Sequence, residues 1–463
     1  MKVFGSGILK GEVLMARLFG TDGVRGEANR ELTPELAYRL GRAATILFGE
    51  DKSEAPLILI GMDTRISGPM FEAALAAGIC SAGGTAVIAG VIPTPAIAYL
   101  AKKNKAQAGI VISASHNPFH DNGIKFFGGD GYKLADAVED ELEALVNKIT
   151  ASDDLYRPIG DKVGKILYRH DLVKEYIEYV LSTVKDDFSG MKVVLDCSNG
   201  AAYEAMPVIL ERLGATTIVI NAKPNGSNIN DGCGSTHLGA LQQAVIDNKA
   251  DVGIAHDGDA DRCLGVDETG NIIDGDKILV MCALEMIANG TLKDNTVVST
   301  VMANIGFHKA IKAAGGRVEV TKVGDRYVLE NMLANGYTLG GEQSGHIIFS
   351  EFATTGDGLI TALQLLASIK RSGKRASELA NVMVSYPQLL VNVRVKSKEG
   401  WETNEKIIAA IKAGNTELGE NGRILVRASG TEPLIRVMAE GPEQDQLERI
   451  CHAIGDDVKN ELG

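Results

Sequence analysis

The sequence predicts an α/β protein built from three similar mixed α/β domains and a smaller C-terminal α+β domain. Two features of the chain point to this. One order of segments, strand, polar turn, helix, glycine stop, strand, occurs three times, and the stretch after residue 386 departs from it. The length agrees: 463 residues exceed one ordinary core, and roughly 100–200 residues per domain give two to four domains.

In the first unit an apolar run at 57–60 leads into GMDTRISG, a helical stretch to residue 82, Gly83-Gly84 and a second run at 85–89. The second unit runs from 192–195 through DCSNG, a helix to residue 213 and Gly214 to a strand at 216–220. The third runs from 296–299 through ANIG, a helix to residue 314 and Gly315-Gly316 to a strand at 317–320. Each reads as a βαβ unit with a right-handed connection. Chance recurrence of a common motif is the alternative to true repetition. The C-terminal part shows strands at 389–395, 423–426 and 434–439 and helical patterns at 404–411 and 444–458. The expected division is an N-terminal extension at 1–14, α/β domains at 15–170, 171–268 and 269–385, and the α+β domain at 386–463.

Composition narrows the class. A hydrophobic fraction of 45% and a charged fraction of 23% are those of a soluble globular protein. The net charge of −13 speaks against a nucleic-acid surface. It leaves room for a small anionic substrate, because a few arginines in a cleft set the local potential. The six cysteines, at 80, 197, 233, 263, 282 and 451, form no CxxC pair, as expected of buried thiols in a reducing cytoplasm. The N-terminus lacks the apolar run of a signal peptide. Residues 73–101 carry no charge and are long enough for a membrane span, but Gly83-Gly84, Pro93 and Pro95 break them into a buried helix, turn and strand.

Four motifs carry candidate chemistry. In GIVISASHNPFHDNG, residues 109–123, a strand ends in a turn displaying Ser115, with His116 beside it to tune it. The spacing matches no G-x-S-x-G elbow. By residue type alone a structural turn fits as well as a nucleophile. In DVGIAHDGDAD, residues 251–261, a strand runs into Asp257, Asp259 and Asp261. Three carboxylates at alternate positions call for a hard cation such as Mg²⁺ or Ca²⁺. Arg262 stands where an EF-hand loop needs glycine, so that reading fails, while a solvated acidic turn stays open. GGEQSGH, residues 340–346, alternates Glu342, Ser344 and His346 in a glycine-rich loop suited to sugar hydroxyls, or to no ligand at all. RASGTEPLIR, residues 427–436, sets Ser429, Gly430 and Thr431 between Arg427 and Arg436. That makes a phosphate cradle or a plain turn between strands.

Taken together, and with LFGTDGVRG at 18–26, these motifs in this order resemble the alpha-D-phosphohexomutase superfamily from about Arg17 onward. The resemblance implies four domains around a central cleft, the last like the TATA-binding-protein fold. It implies that Ser115 is the phosphoserine and, with Asp257, Asp259 and Asp261, binds one Mg²⁺ per subunit. Glu342 and Ser344 would hold sugar hydroxyls, with His346 beside them. Arg427, Ser429, Gly430, Thr431 and Arg436 would hold the non-reacting phosphate. Arg25, His116, Lys125 and Arg262 would line the site, with Lys125 the candidate general acid or base. SASHNP followed by DNGIKFF, and Gln343 within GEQSGH, resemble the branch acting on amino sugars. The expected reaction is conversion of glucosamine 6-phosphate to glucosamine 1-phosphate through a 1,6-bisphosphate of glucosamine or glucose, feeding UDP-N-acetylglucosamine and peptidoglycan synthesis. Glucose or mannose phosphates, or a catalytically silent sugar-phosphate binder, are the rival readings. The expected partners are the phosphosugar and a second copy of the chain, with no nucleic acid and no membrane.

Overall fold

The structure, a computed structural model, describes residues 17–20, 22–49, 55–152, 157–429 and 432–463. The extension expected at 1–14 lies outside the described residues, as do Gly430 and Thr431. Four sheets follow one another along the chain. The first has the strand order Val24–Glu27, Asp121–Gly128, Ala108–Ile112, Leu57–Met62, Thr85–Val91, Lys165–Tyr168. The second runs Ile272–Ile273, Cys263–Asp267, Val252–His256, Lys192–Asp196, Thr216–Ile220, and the third Arg317–Thr321, Thr296–Thr300, Leu339–Gly341, Ile347–Phe349. The fourth is antiparallel throughout, Gln388–Arg394, Leu434–Glu440, Arg423–Ala428.

Each predicted βαβ unit is present as a parallel pair: 57–62 with 85–91, 192–196 with 216–220, and 296–300 with 317–321. The central strands read as continuous apolar runs because helices cover both of their faces. Alternation sorts their side chains. Ile58, Ile60, Ile110 and Ile112 pack with Leu40, Phe71 and Leu75 of the helices Pro34–Gly49 and Gly68–Ser81. Leu59, Val87 and Val111 face the other way, into a core that continues through Leu195 and Leu279 to Val297. Each such buried aliphatic side chain contributes about 1.5–3 kcal/mol, so one continuous core binds the first three domains together. The fourth domain has its own core around Ile435, Val437, Leu447 and Ile454.

One local reading needs amendment. Pro93 and Pro95 do break the uncharged stretch, but they also start a helix, Thr94–Lys103. Proline is well placed in a first turn, where its missing N–H has no intrahelical partner to lose. Among the described residues no helix is long and apolar enough to cross a membrane. All six cysteines are free thiols.

The three α/β sheets share a further feature. The strands 108–112, 252–256 and 339–341 each lie parallel to the first strand of their βαβ unit and then turn back into an antiparallel partner, 121–128, 263–267 and 347–349. The serine, aspartate and glycine-rich GGEQSGH motifs are the turns of these three equivalent hairpins. All three turns leave the carboxyl ends of parallel strands, where open α/β sheets place their ligands.

The fourth domain joins the third at a compact junction. Asn304 caps the helix Ile305–Ala313 and exchanges two hydrogen bonds with the backbone of Tyr386, at 2.9 and 3.1 Å. The fully buried Glu440 accepts from Ile305 N at 2.7 Å and from Arg423 Nε at 2.8 Å.

Candidate active site

Ser115 is buried and sits in the left-handed region, with φ of 51°. For a residue with a Cβ that conformation costs about 1–2 kcal/mol, so neighbours must hold it. Ser115 N donates to Ser113 Oγ at 2.9 Å, and Ser113 Oγ donates to Asp63 Oδ2 at 2.6 Å. The Ser115 carbonyl accepts from Arg65 Nη2 and from Asn230 Nδ2, both at 2.9 Å. Its hydroxyl then meets Asp257 Oδ2 at 2.5 Å, and His116 Nδ1 lies 3.5 Å away. Burial, and then the neighbouring Arg262 and Arg25, lower the His116 imidazole to about 4, so it is neutral near pH 7 and can only accept or donate as a neutral ring.

The aspartate turn faces this serine. Oxygens of Asp257, Asp259 and Asp261 all lie within 4.8 Å of one another, and all three residues are buried. Burial and the charges of Asp261 and Asp259 hold the Asp257 carboxyl well above its usual range. Burial works the same way on Asp259, but Lys125 Nζ at 2.8 Å and Thr94 Oγ1 at 2.8 Å reverse it and hold that carboxyl low. Asp259 Oδ1 and Asp261 Oδ1 are buried without a hydrogen-bond partner among the described residues. Orphaned acceptors on two of three crowded carboxylates are what a divalent cation satisfies. Strands flank the turn on both sides, unlike the helices of an EF-hand.

Lys125 is 2% exposed and ion-paired with Asp259 at 2.8 Å and Asp22 at 3.2 Å, with Asp261 at 3.9 Å. Burial alone would lower its ammonium, but these carboxylates hold it well above the usual lysine range. Arg25 pairs with Asp22. Arg262 reaches Asp257 and Asp261 at 4.0 and 3.9 Å.

The glycine-rich turn 340–346 arrives from the third domain. Glu342 Oε1 accepts from Gly324 N at 3.1 Å, and Ser344 Oγ is buried with no hydrogen-bond partner among the described residues. His346 Nε2 lies 3.5 Å from Asp325 and 3.9 Å from Asp261. Lys133 crosses from the first domain to Asp325, at 2.6 Å, and to Asp22, at 2.7 Å. Three domains thus converge on one charged, buried cluster. In the fourth domain Arg427 and Arg436 are directly opposed on neighbouring strands. Burial and the Arg436 charge lower the Arg427 guanidinium. Like charges facing each other across strands are destabilising, and a phosphate dianion between them removes the repulsion. Among the described residues neither arginine is hydrogen-bonded or ion-paired to the cluster around Ser115.

Asp63, Arg65, Asn230, Thr94, Asp22, Lys133 and Asp325 belong to the cluster but escape the motif reading. Asp63 and Arg65 lie in GMDTRISG, legible as a strand-end turn. Asn230 comes from a loop with no pattern of its own. Gly258 marks how tightly the turns meet: a Cβ there would lie 2.5 Å from Ser115 O and 2.8 Å from Asn230 Nδ2. Gly258→Ala is therefore expected to cost about 1–3 kcal/mol of stability and, by moving the serine turn, about 10²-fold in turnover. Thermal denaturation and steady-state rates check both.

Four models of the phosphoglucomutase/phosphomannomutase family match the chain: alpha/beta/alpha domain I at 16–153, domain II at 174–270, domain III at 274–386 and the C-terminal domain at 390–456. A phosphoglucosamine mutase of Symbiobacterium thermophilum is 54% identical over 449 residues, 97% of this chain and 100% of its own. One from Heliobacterium modesticaldum is 55% identical over 456 residues, 96% and 99% of the two chains. A solved phosphoglucomutase/phosphomannomutase family protein of Burkholderia thailandensis superposes with a TM-score of 0.79 at 23% identity, over 96% of this chain and 98% of its own. An N-acetylphosphoglucosamine mutase of Aspergillus fumigatus, solved with GlcNAc-6P and magnesium, gives 0.66 at 18% identity, over 96% of each chain.

Proposed function

Because the chain belongs to the phosphoglucomutase/phosphomannomutase family in all four of its domains, we propose that it interconverts glucosamine 6-phosphate and glucosamine 1-phosphate through a phosphorylated Ser115. Full-length relatives bearing that activity's name support the choice of amino sugar. The observation that carries the mechanism is the buried Ser115 hydroxyl, 2.5 Å from Asp257 at the edge of the aspartate trio.

In the forward direction the 1-hydroxyl of glucosamine 6-phosphate attacks the phosphorus on Ser115. The bond to Oγ breaks as the new one forms, and the hydroxyl proton passes to a base. The resulting 1,6-bisphosphate turns over, Ser115 Oγ bonds to the 6-phosphorus as the bond to O6 breaks, O6 takes up a proton to balance the one released, and glucosamine 1-phosphate leaves. Asp257, Asp259 and Asp261 are the residues that would hold Mg²⁺, which when bound neutralises charge on the transferring phosphoryl group. Lys125, kept charged by its carboxylates, supplies a further positive charge and a proton-bearing atom beside the aspartates. The Glu342–His346 turn orients the sugar, and Arg427 with Arg436 grips whichever phosphate is not reacting. A site closed to water protects the phosphoserine from hydrolysis.

The test is a coupled assay with glucosamine, glucose and mannose phosphates, with intact-mass and peptide analysis of Ser115. Preference for the amino sugar and a phosphate on Ser115 are expected. Equal specificity constants for glucosamine and glucose phosphates would move the reading to a phosphoglucomutase, and phosphate release without isomerisation to a phosphatase. Arg427→Ala is expected to raise the apparent substrate constant by about 10–10²-fold, the loss of one charge-assisted bond at a half-buried position, and to release bisphosphate into solution. Phosphorylation of Ser115 stays as in the wild type, which the same mass analysis checks.

A further inference from the structure

Arg65 and Asp63 lie fully buried, and the mechanism above leaves them unused. Arg65 Nε donates to Asp63 Oδ2 at 2.9 Å. The rest of the guanidinium is spent on three carbonyls of the serine turn: Ser115 at 2.9 Å, Asn117 at 2.8 Å, and Pro118. Asn230 reaches across from the second domain to two of the same three, Ser115 at 2.9 Å and Asn117 at 3.1 Å. Asp63 closes the circuit on the other side, through Ser113 Oγ to Ser115 N. Both backbone polar groups of Ser115 are therefore held by one connected network.

The geometry points to Arg65 as a positioning residue for phosphoryl transfer: with Asp63, Ser113 and Asn230 it locks the Ser115 backbone in the left-handed conformation that aims Oγ at Asp257. This rests on the reading of Ser115 as the phosphoryl carrier. The chemistry of the side chain suits the task. Only a planar guanidinium offers five donors in a fixed fork, and lysine has one rotating ammonium in its place. The direction of the Ser115 carbonyl matters to the reaction. A planar trans peptide puts the His116 N–H opposite that carbonyl. Holding the carbonyl against Arg65 and Asn230 keeps its negative end away from the face where a phosphoryl dianion arrives. In-line transfer tolerates little misplacement, and a shift of about 1 Å costs on the order of 10²-fold.

The experiment compares wild type, Arg65→Lys and Asn230→Ala. Measured for each are the kcat and KM for glucosamine 6-phosphate with saturating bisphosphate, single-turnover transfer from phosphorylated Ser115, Mg²⁺ affinity and thermal stability. Arg65→Lys keeps the charge opposite Asp63 but loses the fork, so kcat and single-turnover transfer should fall about 10²-fold. KM should stay within about twofold, and so should the Mg²⁺ affinity of the unphosphorylated protein, since Arg65 contacts neither the 342–346 turn nor the aspartate trio. Asn230→Ala removes no charge and should lower the same two rates about tenfold, which keeps the test decisive if the lysine variant does not fold. A folded Arg65→Lys or Asn230→Ala enzyme with wild-type single-turnover transfer overturns the assignment. So does a fall in kcat matched by an equal loss of substrate and Mg²⁺ binding, which marks general loosening. If wild type itself carries no phosphate on Ser115 and still isomerises the sugar, the reading of Ser115 fails, and that result is read before any variant.

Discussion

Replacing Ser115 by alanine is expected to lower isomerisation by at least about 10⁴-fold, the scale on which enzymes lose rate when a covalent nucleophile is removed. The protein should stay folded. The hydroxyl's one strong partner is Asp257 Oδ2, and losing a buried hydrogen bond of this kind costs about 1–3 kcal/mol. Asp257 keeps a second partner, since its Oδ1 accepts from Arg262 N at 3.2 Å. Alanine meets the same left-handed backbone as serine and is held by the same contacts to Arg65, Asn230 and Ser113, none of which uses the Ser115 side chain. Thermal denaturation, the coupled assay and intact mass together check this. A folded Ser115→Ala protein turning over at the wild-type rate would sink the phosphoserine mechanism.

The second large effect concerns Asp259→Asn. Asp259 offers one oxygen to Lys125 and Thr94 and keeps the other free of any partner. An amide has the same shape but no charge, and its nitrogen is a donor where a cation needs an acceptor. Mg²⁺ affinity should fall on the order of 10²-fold, and turnover by a similar factor. Stability separates this from mere damage. Wild type gains RT ln(1 + [Mg²⁺]/Kd) from the ion, about 2.7 kcal/mol at a hundred times Kd. The variant should gain little at the same concentration. Without the ion, Asp257 and Asp261 lose a repelling neighbour, which offsets part of what Lys125 loses. Melting curves with Mg²⁺ and with chelator, beside a calorimetric titration, read both quantities. An unchanged Mg²⁺-induced rise in melting temperature would refute Asp259 as a ligand.

How much of this was legible in the chain follows from how local each signal is. The three βαβ units read clearly because buried parallel strands are continuous apolar runs ended by turn residues; the strand 216–220 coincides with its expected limits. The C-terminal helices came out short, at 404–411 and 444–458, where the structure has Glu405–Leu418 and Gln444–Leu462. Their last turns are largely polar surface, where apolar periodicity fades. The three aspartates are legible because they stand at alternate positions of one turn, whereas Ser115 lies 142 residues from Asp257 and is singled out only by the resemblance. Arg65 and Asn230 are not legible, since their partners are carbonyls 50 and 115 residues away. Hydrogen bonds to a backbone leave no mark on the sequence of the segment they hold. The junction at Asn304 and Glu440 is hidden for the same reason.

The three equivalent hairpins carry a consequence for how such a site changes over time. On the proposed mechanism, phosphoryl carriage, cation binding and sugar recognition would each be lodged in one turn of one copy of a common architecture. On that reading a lineage remodels its choice of sugar through the side chains at 342–344 while Gly345 stays fixed, since a Cβ there would lie 2.4 Å from Cys263 O and its carbonyl accepts from Cys263 N at 3.0 Å. The serine and aspartate turns, pressed together through Gly258, must change in concert or not at all. Substitution is freest at 342–344, so a chimera that exchanges those positions and keeps Gly345 is the natural route to a new substrate.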